Sequence, residues 1–262
     1  MEYFNLQKKD GNMVACVKEV PADPRGIVIG IHGFTSSKEG STYQLLRERM
    51  SAAGLGVVCI DLPGHGTQES LQETLRIPGA LDSIETAEQY VRREYPGCEV
   101  FYFGSSFGAY LTGLYISTRD HAGRKLFWRS AAVNMPTLFH SEDPSPEELR
   151  HMEELKEQGY FDVTMEDHKP VRITEEMYND LLQNDLFEKF DADRFGKHQV
   201  FMVHGTVDEV IDPEAAGRFS EQFGIPVHWF PGEGHSIAAD PADPDRVMDL
   251  AISFYLQGDA QW

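Results

Sequence analysis

The sequence predicts an α/β protein with a mostly parallel central sheet flanked by helices. Short apolar runs rich in β-branched residues alternate with longer amphipathic runs along the 262-residue chain, which is the order of repeated strand–helix units. The apolar runs are continuous rather than alternating, as is typical of strands that are buried on both faces. With 41% hydrophobic residues, the chain has enough apolar side chains to fill a large core.

The individual elements follow this alternation. The segments EYFNLQ and MVACVKEV flank a Lys-Asp-Gly-Asn turn, which predicts an antiparallel hairpin at the sheet edge. Helices are predicted where apolar residues recur at helical spacing and fall on one face. Further strands are predicted at residues 26–33, 55–62, 98–104, 198–205 and 225–232. Helices are predicted at residues 41–54, 81–95, 106–118 and 243–258.

One region interrupts the alternation. Residues 141–196 hold 17 acidic and six basic residues and predict two helices around a short hairpin that turns near Glu166 and Asp167. We expect a core of residues 1–135 and 197–262 and a small cap of residues 136–196 over the carboxyl edge of the sheet, where open α/β sheets bind ligands. A solvent-facing excursion without a role at that site is the alternative. Five side chains either line a pocket under this cap or form its own small core: Tyr160, Phe161, Met165, Met177 and Tyr178.

The composition excludes several classes of partner. With 23 basic and 43 acidic residues the net charge is −20, which opposes binding to nucleic acid or to an anionic membrane surface. No apolar stretch approaches the roughly 20 residues that span a bilayer. Cys16, Cys59 and Cys98 are too far apart for a disulfide framework or a zinc site. We expect a reducing, cytoplasmic setting, no metal and no cofactor; the oligomeric state stays open, a homodimer included.

The stretch FGSSFGA, residues 103–109, matches the pattern G-x-S-x-G around Ser106. It follows a predicted strand and begins a predicted helix, and Gly104 and Gly108 provide the space that a sharp strand–helix turn requires. Such a turn exposes the Ser106 hydroxyl at a helix N-terminus, where backbone N–H groups favour negative charge. The stretch therefore predicts a nucleophilic serine, the alternative being an ordinary helix cap.

A serine hydroxyl needs a base, and two downstream loops provide one with its acid. Asp208 lies in VHGTVDEVID after one predicted strand, and His235 lies in FPGEGHSI after the last. Both loops leave the carboxyl ends of strands, on the same sheet edge as Ser106, so the three side chains are expected to converge. Glu209 and Asp212 are the rival acids. The other histidines of interest are expected to be locally structural or solvated: His32, His65, His140, His151, His168 and His204.

A pair of backbone donors completes the predicted site. Phe34, in the loop HGFTSSKEG after the strand at 26–33, and Phe107, next to Ser106, can each offer an N–H group. Two such donors stabilise the oxyanion of a tetrahedral intermediate.

These motifs, HGF, DxxGHG at residues 61–66, GSSFG, GTVDEVID and GEGH, occur in one order along the chain. In this the sequence resembles the α/β-hydrolase superfamily over nearly its whole length and, more narrowly, the bacterial esterases that include cinnamoyl (feruloyl) esterases. The resemblance implies an α/β-hydrolase fold with Ser106 as nucleophile, His235 as base, Asp208 as acid, and Phe34 and Phe107 as the oxyanion-hole donors.

The function expected from the residues and the resemblance is hydrolysis of a small carboxylic ester through an acyl-enzyme, with aryl (cinnamoyl or feruloyl) esters implied by the resemblance. The alternatives on the same fold are an acylglycerol lipase, a thioesterase and a serine peptidase. A non-catalytic ligand-binding module is a further alternative from another class. The sequence departs from the common G-H-S-x-G form of the family at Ser105, a position that is not catalytic there.

Overall fold

The computed structural model describes residues 1–67, 70, 72–140, 143–164, 170–195 and 199–257. Within these residues the strands belong to one eight-stranded sheet and one two-stranded sheet. The strands are β1 Glu2–Gln7, β2 Met13–Glu19, β3 Ile27–Ile31, β4 Gly56–Ile60, β5 Val100–Ser105, β6 Gly123–Arg129, β7 Tyr160–Val163, β8 Val171–Thr174, β9 Val200–Gly205 and β10 Val227–Phe230. The helices are α1 Ser41–Ala52, α2 Ile77–Glu94, α3 Phe107–Thr118, α4 Pro146–Gln158, α5 Glu175–Gln183, α6 Leu186–Lys189, α7 Ala192–Phe195, α8 Pro213–Phe223 and α9 Asp243–Leu256, with a 3₁₀ turn at Met135–Leu138.

The large sheet has the strand order β1-β2-β4-β3-β5-β6-β9-β10. The hairpin β1–β2 is antiparallel and joins β4 in antiparallel fashion, whereas all pairs from β4 to β10 are parallel. The mostly parallel sheet with an antiparallel edge hairpin is therefore confirmed. Because β3, β5, β6, β9 and β10 run in one direction, their carboxyl ends meet at one edge of the sheet.

The sheet is covered on both faces, as the continuous apolar strands predict. In β3, Ile27, Ile29 and Ile31 face one apolar cluster, which α2, α3 and α8 complete. Val28 faces the opposite cluster, which α1 and α9 complete. All four side chains are fully buried. Burial on both faces explains why these strands show no alternation of apolar and polar residues.

Three elements of the fold escape the sequence prediction. Strand β6 begins with Gly-Arg-Lys, so its first half lacks an apolar pattern, and helix α8 lies in a segment for which no element is predicted from the sequence. The one-turn helix α7 is likewise not predicted. The second helix predicted between residues 175 and 190 is divided into α5 and α6. The division occurs because Asp185 caps α6, accepting a hydrogen bond from the Phe187 N–H at 2.9 Å.

The segment between β6 and β9, residues 130–199, is called the insert below. Its strands β7 and β8 form the predicted antiparallel hairpin, whereas the turn expected near Glu166 and Asp167 lies outside the described residues, as do Met165 and His168.

The second half of the insert is fixed to the rest of the chain: Arg76 donates two hydrogen bonds to the Asp180 carboxylate, at 2.5 and 2.8 Å. Helix α4, in the first half, has no fully buried side chain. The exact division into a core and a cap at 136–196 stays a prediction.

None of the helices in the described part of the chain combines the length and apolar composition needed to cross a bilayer.

Candidate active site

Ser106 lies on the sharp turn between β5 and α3. Its backbone has φ 53° and ψ −116°, a conformation that is strained for a residue with a side chain. The turn packs closely on the neighbouring strand: a Cβ added to Gly108 would lie 2.0 Å from the Ile31 carbonyl oxygen. Glycine is therefore required at position 108, in agreement with the space that the motif predicts.

The structure brings Ser106, His235 and Asp208 together at the carboxyl edge of the sheet. The His235 Nδ1 atom lies 3.0 and 2.9 Å from the two carboxylate oxygens of Asp208. Its Nε2 atom lies 3.0 Å from the Ser106 Oγ atom. Because the carboxylate can only accept, Nδ1 carries the proton in the neutral imidazole, and Nε2 is free to accept a proton from the hydroxyl.

The Asp208 carboxylate is held in the ionised state by several donors. The backbone N–H groups of Val210 and Ile211 donate to Oδ1, both at 2.9 Å. A second imidazole, His204, lies 3.1 Å from Oδ2. Burial alone would raise the pKa of Asp208, but hydrogen bonds from His204, His235 and the Ile211 N–H outweigh it and hold this pKa well below its ordinary value. Asp208 is therefore an anion that can orient His235.

The two rival acids have other positions. Asp212 caps helix α8 by accepting from the Glu214 N–H at 2.9 Å. Glu209 accepts from the backbone N–H of His235 at 3.2 Å rather than from its ring. Of these three acidic side chains, only Asp208 has a hydrogen bond to the His235 imidazole among the described contacts.

Phe34 and Phe107 lie beside Ser106, and both line the same cavity. Their rings meet edge to face, with centroids 5.5 Å apart. Among the described residues, no protein acceptor pairs with the N–H of either one. Gly33, the residue before Phe34, is also close to the serine hydroxyl: a Cβ added to Gly33 would lie 3.9 Å from the Ser106 Oγ atom. Two unpaired N–H groups next to a serine hydroxyl can accommodate a developing oxyanion.

Backbone strain is concentrated at this site. Four non-glycine residues in the described part of the chain have positive φ angles: Thr35 at 61°, Ser106 at 53°, Ser130 at 48° and Ile237 at 46°. Each lies within two residues of Phe34, Ser106, Arg129 or His235, which all line the cavity. Strained conformations persist where the surrounding structure fixes them, and they cluster at functional sites.

A cavity of about 640 Å³ opens over Ser106 and His235, between the sheet edge and the insert. The insert contributes an apolar wall that includes Leu138, Phe139, Phe161 and Tyr178. Of the five side chains with two expected roles, Phe161 and Tyr178 line the cavity. Phe161 also belongs to the buried apolar cluster that contains Met177, which does not line the cavity. Tyr160 instead stacks against Arg172: the guanidinium carbon of Arg172 lies 3.7 Å from the centre of the Tyr160 ring.

The histidines near the site have distinct local contacts. His32 accepts from the Leu62 N–H at 3.0 Å and lies 2.7 Å from the Gly33 carbonyl, so it supports the loop before Phe34. His151 was expected to be solvated but stacks on Phe161, with centroids 4.4 Å apart, and lines the cavity. Within the described residues, no three His, Cys, Asp or Glu side chains are grouped to hold a metal ion.

Sequence reasoning missed two polar residues of the site, Arg129 and Ser130, which follow one another at the end of β6. Arg129 lines the cavity and donates from Nη1 to the Ser105 Oγ atom at 2.8 Å. Ser130 donates to the His235 carbonyl at 2.8 Å. The missing signal was the strand itself, because recognising β6 would have placed its last residues beside Ser105 at the carboxyl edge.

A mostly parallel sheet with a serine turn after β5, a carboxylate after β9 and a histidine after the last strand defines an α/β hydrolase. Within that class, the chain belongs to the family described as serine aminopeptidase, S33, which it matches over residues 22–185. The predicted fold and superfamily are thereby confirmed.

Solved structures with the same fold cover almost the whole chain. The esterase Est1E from Butyrivibrio proteoclasticus, solved with ferulic acid bound, is 18% identical with a TM-score of 0.77, covering 98% of this chain and 100% of its own. A protein of Agrobacterium vitis S4 described as a hydrolase is 19% identical with a TM-score of 0.78, covering 97% of both chains. The monoacylglycerol lipase of Paleococcus ferrophilus is 20% identical with a TM-score of 0.70, covering 97% and 98%. At these identities the likeness establishes the shared fold.

Proposed function

We propose that this hydrolase cleaves carboxylic esters through an acyl-enzyme formed on Ser106. The observation that carries the proposal is the continuous line of hydrogen bonds from the Asp208 carboxylate through the His235 imidazole to the Ser106 hydroxyl, with heavy-atom separations of 2.9 and 3.0 Å. These separations are within the range that proton transfer from a nucleophile to a general base requires.

In the acylation step, Ser106 Oγ attacks the ester carbonyl carbon while its proton moves to His235 Nε2. The carbonyl oxygen becomes an oxyanion that accepts hydrogen bonds from the N–H groups of Phe34 and Phe107, and each such donor contributes roughly 10²–10³ in rate. The intermediate then collapses, the ester C–O bond breaks, and His235 gives its proton to the departing alcohol. Asp208 stabilises the imidazolium without taking up the proton.

In the deacylation step, a water molecule attacks the acyl-enzyme and loses a proton to His235. The second tetrahedral intermediate collapses, the bond to Ser106 Oγ breaks, and that oxygen recovers the proton from His235. The carboxylic acid is released and the free enzyme is restored.

We further propose an ester with an aryl acyl group as the substrate class. The support is the cavity wall, where the aromatic rings of Phe34, Phe139, Phe161 and Tyr178 come together near Ser106. Flat aromatic side chains pack well against an aryl group in offset or edge-to-face arrangements. The insert, which provides three of these four rings, would then act as the cap over the substrate.

A second candidate is a peptidase that acts on a free amino terminus. The observation that favours it is the carboxylate of Glu147 in the cavity wall, which can pair with a substrate ammonium group. The family description points in the same direction. The two candidates share Ser106 and His235 and differ in the bond cleaved.

A fluorophosphonate probe tests the nucleophile. The wild-type protein should be labelled at Ser106, and Ser106→Ala should lose both labelling and hydrolysis of a short p-nitrophenyl ester. Ser105→Ala is the matched control, the same deletion of a hydroxyl one residue earlier; it should still be labelled at Ser106 and still hydrolyse the ester, although more slowly, because Arg129 loses one of its two side-chain acceptors. Folded wild-type protein that is not labelled would favour a non-catalytic binding module instead.

A substrate panel tests the class of bond. Methyl ferulate, a monoacylglycerol, an acyl-CoA and an aminoacyl p-nitroanilide present an aryl ester, a lipid ester, a thioester and an amide to the same site. We expect the highest kcat/KM for methyl ferulate. A preference for the anilide would replace the proposed esterase with the peptidase.

A further inference from the structure

The carboxyl end of β6 contacts both reacting residues of the proposed mechanism. The Arg129 carbonyl accepts from the Ser106 N–H at 2.9 Å, and its guanidinium donates to the Ser105 Oγ atom at 2.8 Å. The same guanidinium also donates to the carbonyl of Ser236. Ser130 continues the pattern, since its hydroxyl donates to the His235 carbonyl at 2.8 Å.

From these contacts we propose that Arg129 and Ser130 are positioning residues that fix the separation between the Ser106 hydroxyl and the His235 imidazole. The inference rests on the function proposed above. Ser106 and His235 lie on different loops, after β5 and β10, which are not neighbours in the sheet. β6 lies beside β5. Its last residue, Arg129, bonds through its side chain to both Ser105 and Ser236, and the next residue, Ser130, bonds to His235.

A guanidinium suits this role because of its shape. It is planar and carries five N–H donors in fixed directions, so Nη1 and Nη2 can reach two acceptors on different loops at once. Lysine carries its donors on a single nitrogen and cannot reproduce that span. The departure from the family pattern at Ser105 fits this contact, since a serine hydroxyl there is the acceptor for Nη1.

No carboxylate oxygen of the described residues lies within 4.0 Å of the Arg129 guanidinium. Its hydrogen bonds instead go to two neutral oxygens, a hydroxyl and a carbonyl. Removing the charge therefore breaks no direct ion pair. It does remove a positive charge that acts electrostatically on Asp208, so the crystallographic comparison below is needed beside kcat to assign a positioning role.

Ser130, which bonds to the His235 carbonyl, is held firmly in place by its own surroundings. Its side chain is fully buried, its φ angle is 48°, and its N–H donates to the Val203 carbonyl at 2.9 Å. Ser130→Ala deletes only the hydroxyl that reaches His235 and leaves these backbone contacts. It is a milder change than any at Arg129 and keeps the inference testable if an Arg129 variant does not fold.

The first test is kinetic, with a short p-nitrophenyl ester and the rate of fluorophosphonate labelling. Arg129→Met should lower kcat and the labelling rate by roughly tenfold to a hundredfold with KM nearly unchanged, because small displacements of reacting groups cost rates of this size. Methylguanidine in the buffer should restore part of the loss, and Ser130→Ala should lower kcat in the same way but less. Arg124→Met is the matched control, the same change on the same strand at an exposed arginine that pairs with Glu99.

Crystal structures of the wild type and Arg129→Met give a second readout that needs no activity. The Ser106 Oγ to His235 Nε2 separation, 3.0 Å here, should exceed hydrogen-bonding distance in the variant. Unchanged separation and kcat would overturn the inference, as would a raised KM with unchanged kcat, which would make Arg129 a substrate contact. Absence of labelling in the wild type would instead count against the proposed function, and the crystallographic comparison would still decide the positioning role.

Discussion

His204 and His235 contact the same carboxylate. The His204 Nε2 atom lies 3.1 Å from the Asp208 Oδ2 atom and 3.2 Å from the Ile211 carbonyl oxygen. Both neighbours are acceptors, so Nε2 carries a proton. His204 is fully buried, and its Nδ1 atom has no partner among the described residues. The second imidazole therefore holds the acid of the proposed triad without lining the cavity.

Substitution of His204 should impair catalysis without touching the substrate. A hydrogen bond to a charged group contributes about 1.5–3 kcal/mol, so we expect His204→Phe to lower kcat/KM on the order of tenfold or more. His204→Gln retains an N–H donor and should recover part of this loss. The measurement is ester hydrolysis, with His228→Phe, at an exposed histidine, as the control. Wild-type kinetics in His204→Phe would mean that this contact only stabilises the fold.

Asp208→Asn should have a far larger effect on catalysis than any change at its rival acids. An amide in place of the carboxylate can no longer hold the Nδ1–H tautomer of His235, and we expect kcat to fall by roughly 10³–10⁴. Asp212→Asn is the matched control, because it makes the same change four residues away at a helix cap. A comparable loss of kcat in Asp212→Asn would mean that the acid is wrongly assigned.

How far the sequence predicts this site depends on how local each contact is. Ser106, Asp208 and His235 follow predicted strands, and parallel strands bring such loops to one edge whatever the side chains in between. The contacts of Arg129 with Ser236 and of Ser130 with His235 join residues more than 100 positions apart. They depend on β6, whose first half is charged and does not look like a buried strand in the sequence. A local sequence pattern cannot indicate such a contact, because the contact forms only when the strands pack side by side in the sheet.

The insert illustrates the same limit at the level of single elements. Its helices and hairpin follow from spacing and turn residues, and the capping serine of α4 is visible in the sequence as Ser-Pro-Glu-Glu. Which of its apolar side chains line the cavity could not be predicted, because Phe161 and Met177 both lie in short apolar patterns that do not indicate which side chain faces the cavity. Both are buried in one apolar cluster, and only the packing of the insert on the sheet makes Phe161, and not Met177, line the cavity.

Gly108 should tolerate no side chain. A Cβ at this position would lie 2.0 Å from the Ile31 carbonyl and 2.6 Å from the His32 carbonyl, which are backbone atoms that cannot move independently. We expect Gly108→Ala to lower both the thermal stability and kcat, as overpacking typically costs about 1–3 kcal/mol. Thermal unfolding and ester hydrolysis measure the two effects.

Gly217→Ala is the control for that substitution. Gly217 lies within helix α8, and an added Cβ would meet only a Trp229 side-chain atom, 3.9 Å away. Alanine should therefore stabilise the protein there, by up to about 1 kcal/mol, because it favours the helix over glycine. Opposite signs for the two substitutions are expected, and a neutral Gly108→Ala would contradict the close packing of the serine turn.

Acid should destabilise the protein in part through His65. Burial lowers the pKa of this imidazole to about 3 in the folded protein, whereas an unfolded histidine titrates near 6.5. Between these two values the unfolded state binds a proton that the folded state does not. The free energy of unfolding should therefore decrease as the pH falls below 6.5, by up to about 1.4 kcal/mol per pH unit from this group, until the pH approaches 3.

Denaturant unfolding at pH 7.5, 6.0 and 5.0 measures this dependence. His65→Asn keeps an N–H donor toward the Pro63 carbonyl, which lies 2.8 Å from the His65 Nδ1 atom, but cannot titrate. The free energy of unfolding of the variant should decrease less steeply as the pH falls. The difference in slope should correspond to nearly one proton fewer taken up on unfolding. His228→Asn makes the same change at an exposed position and serves as the control. Equal slopes for His65→Asn and the wild type would show that His65 does not drive the acid response and would point to His32, whose pKa burial also lowers.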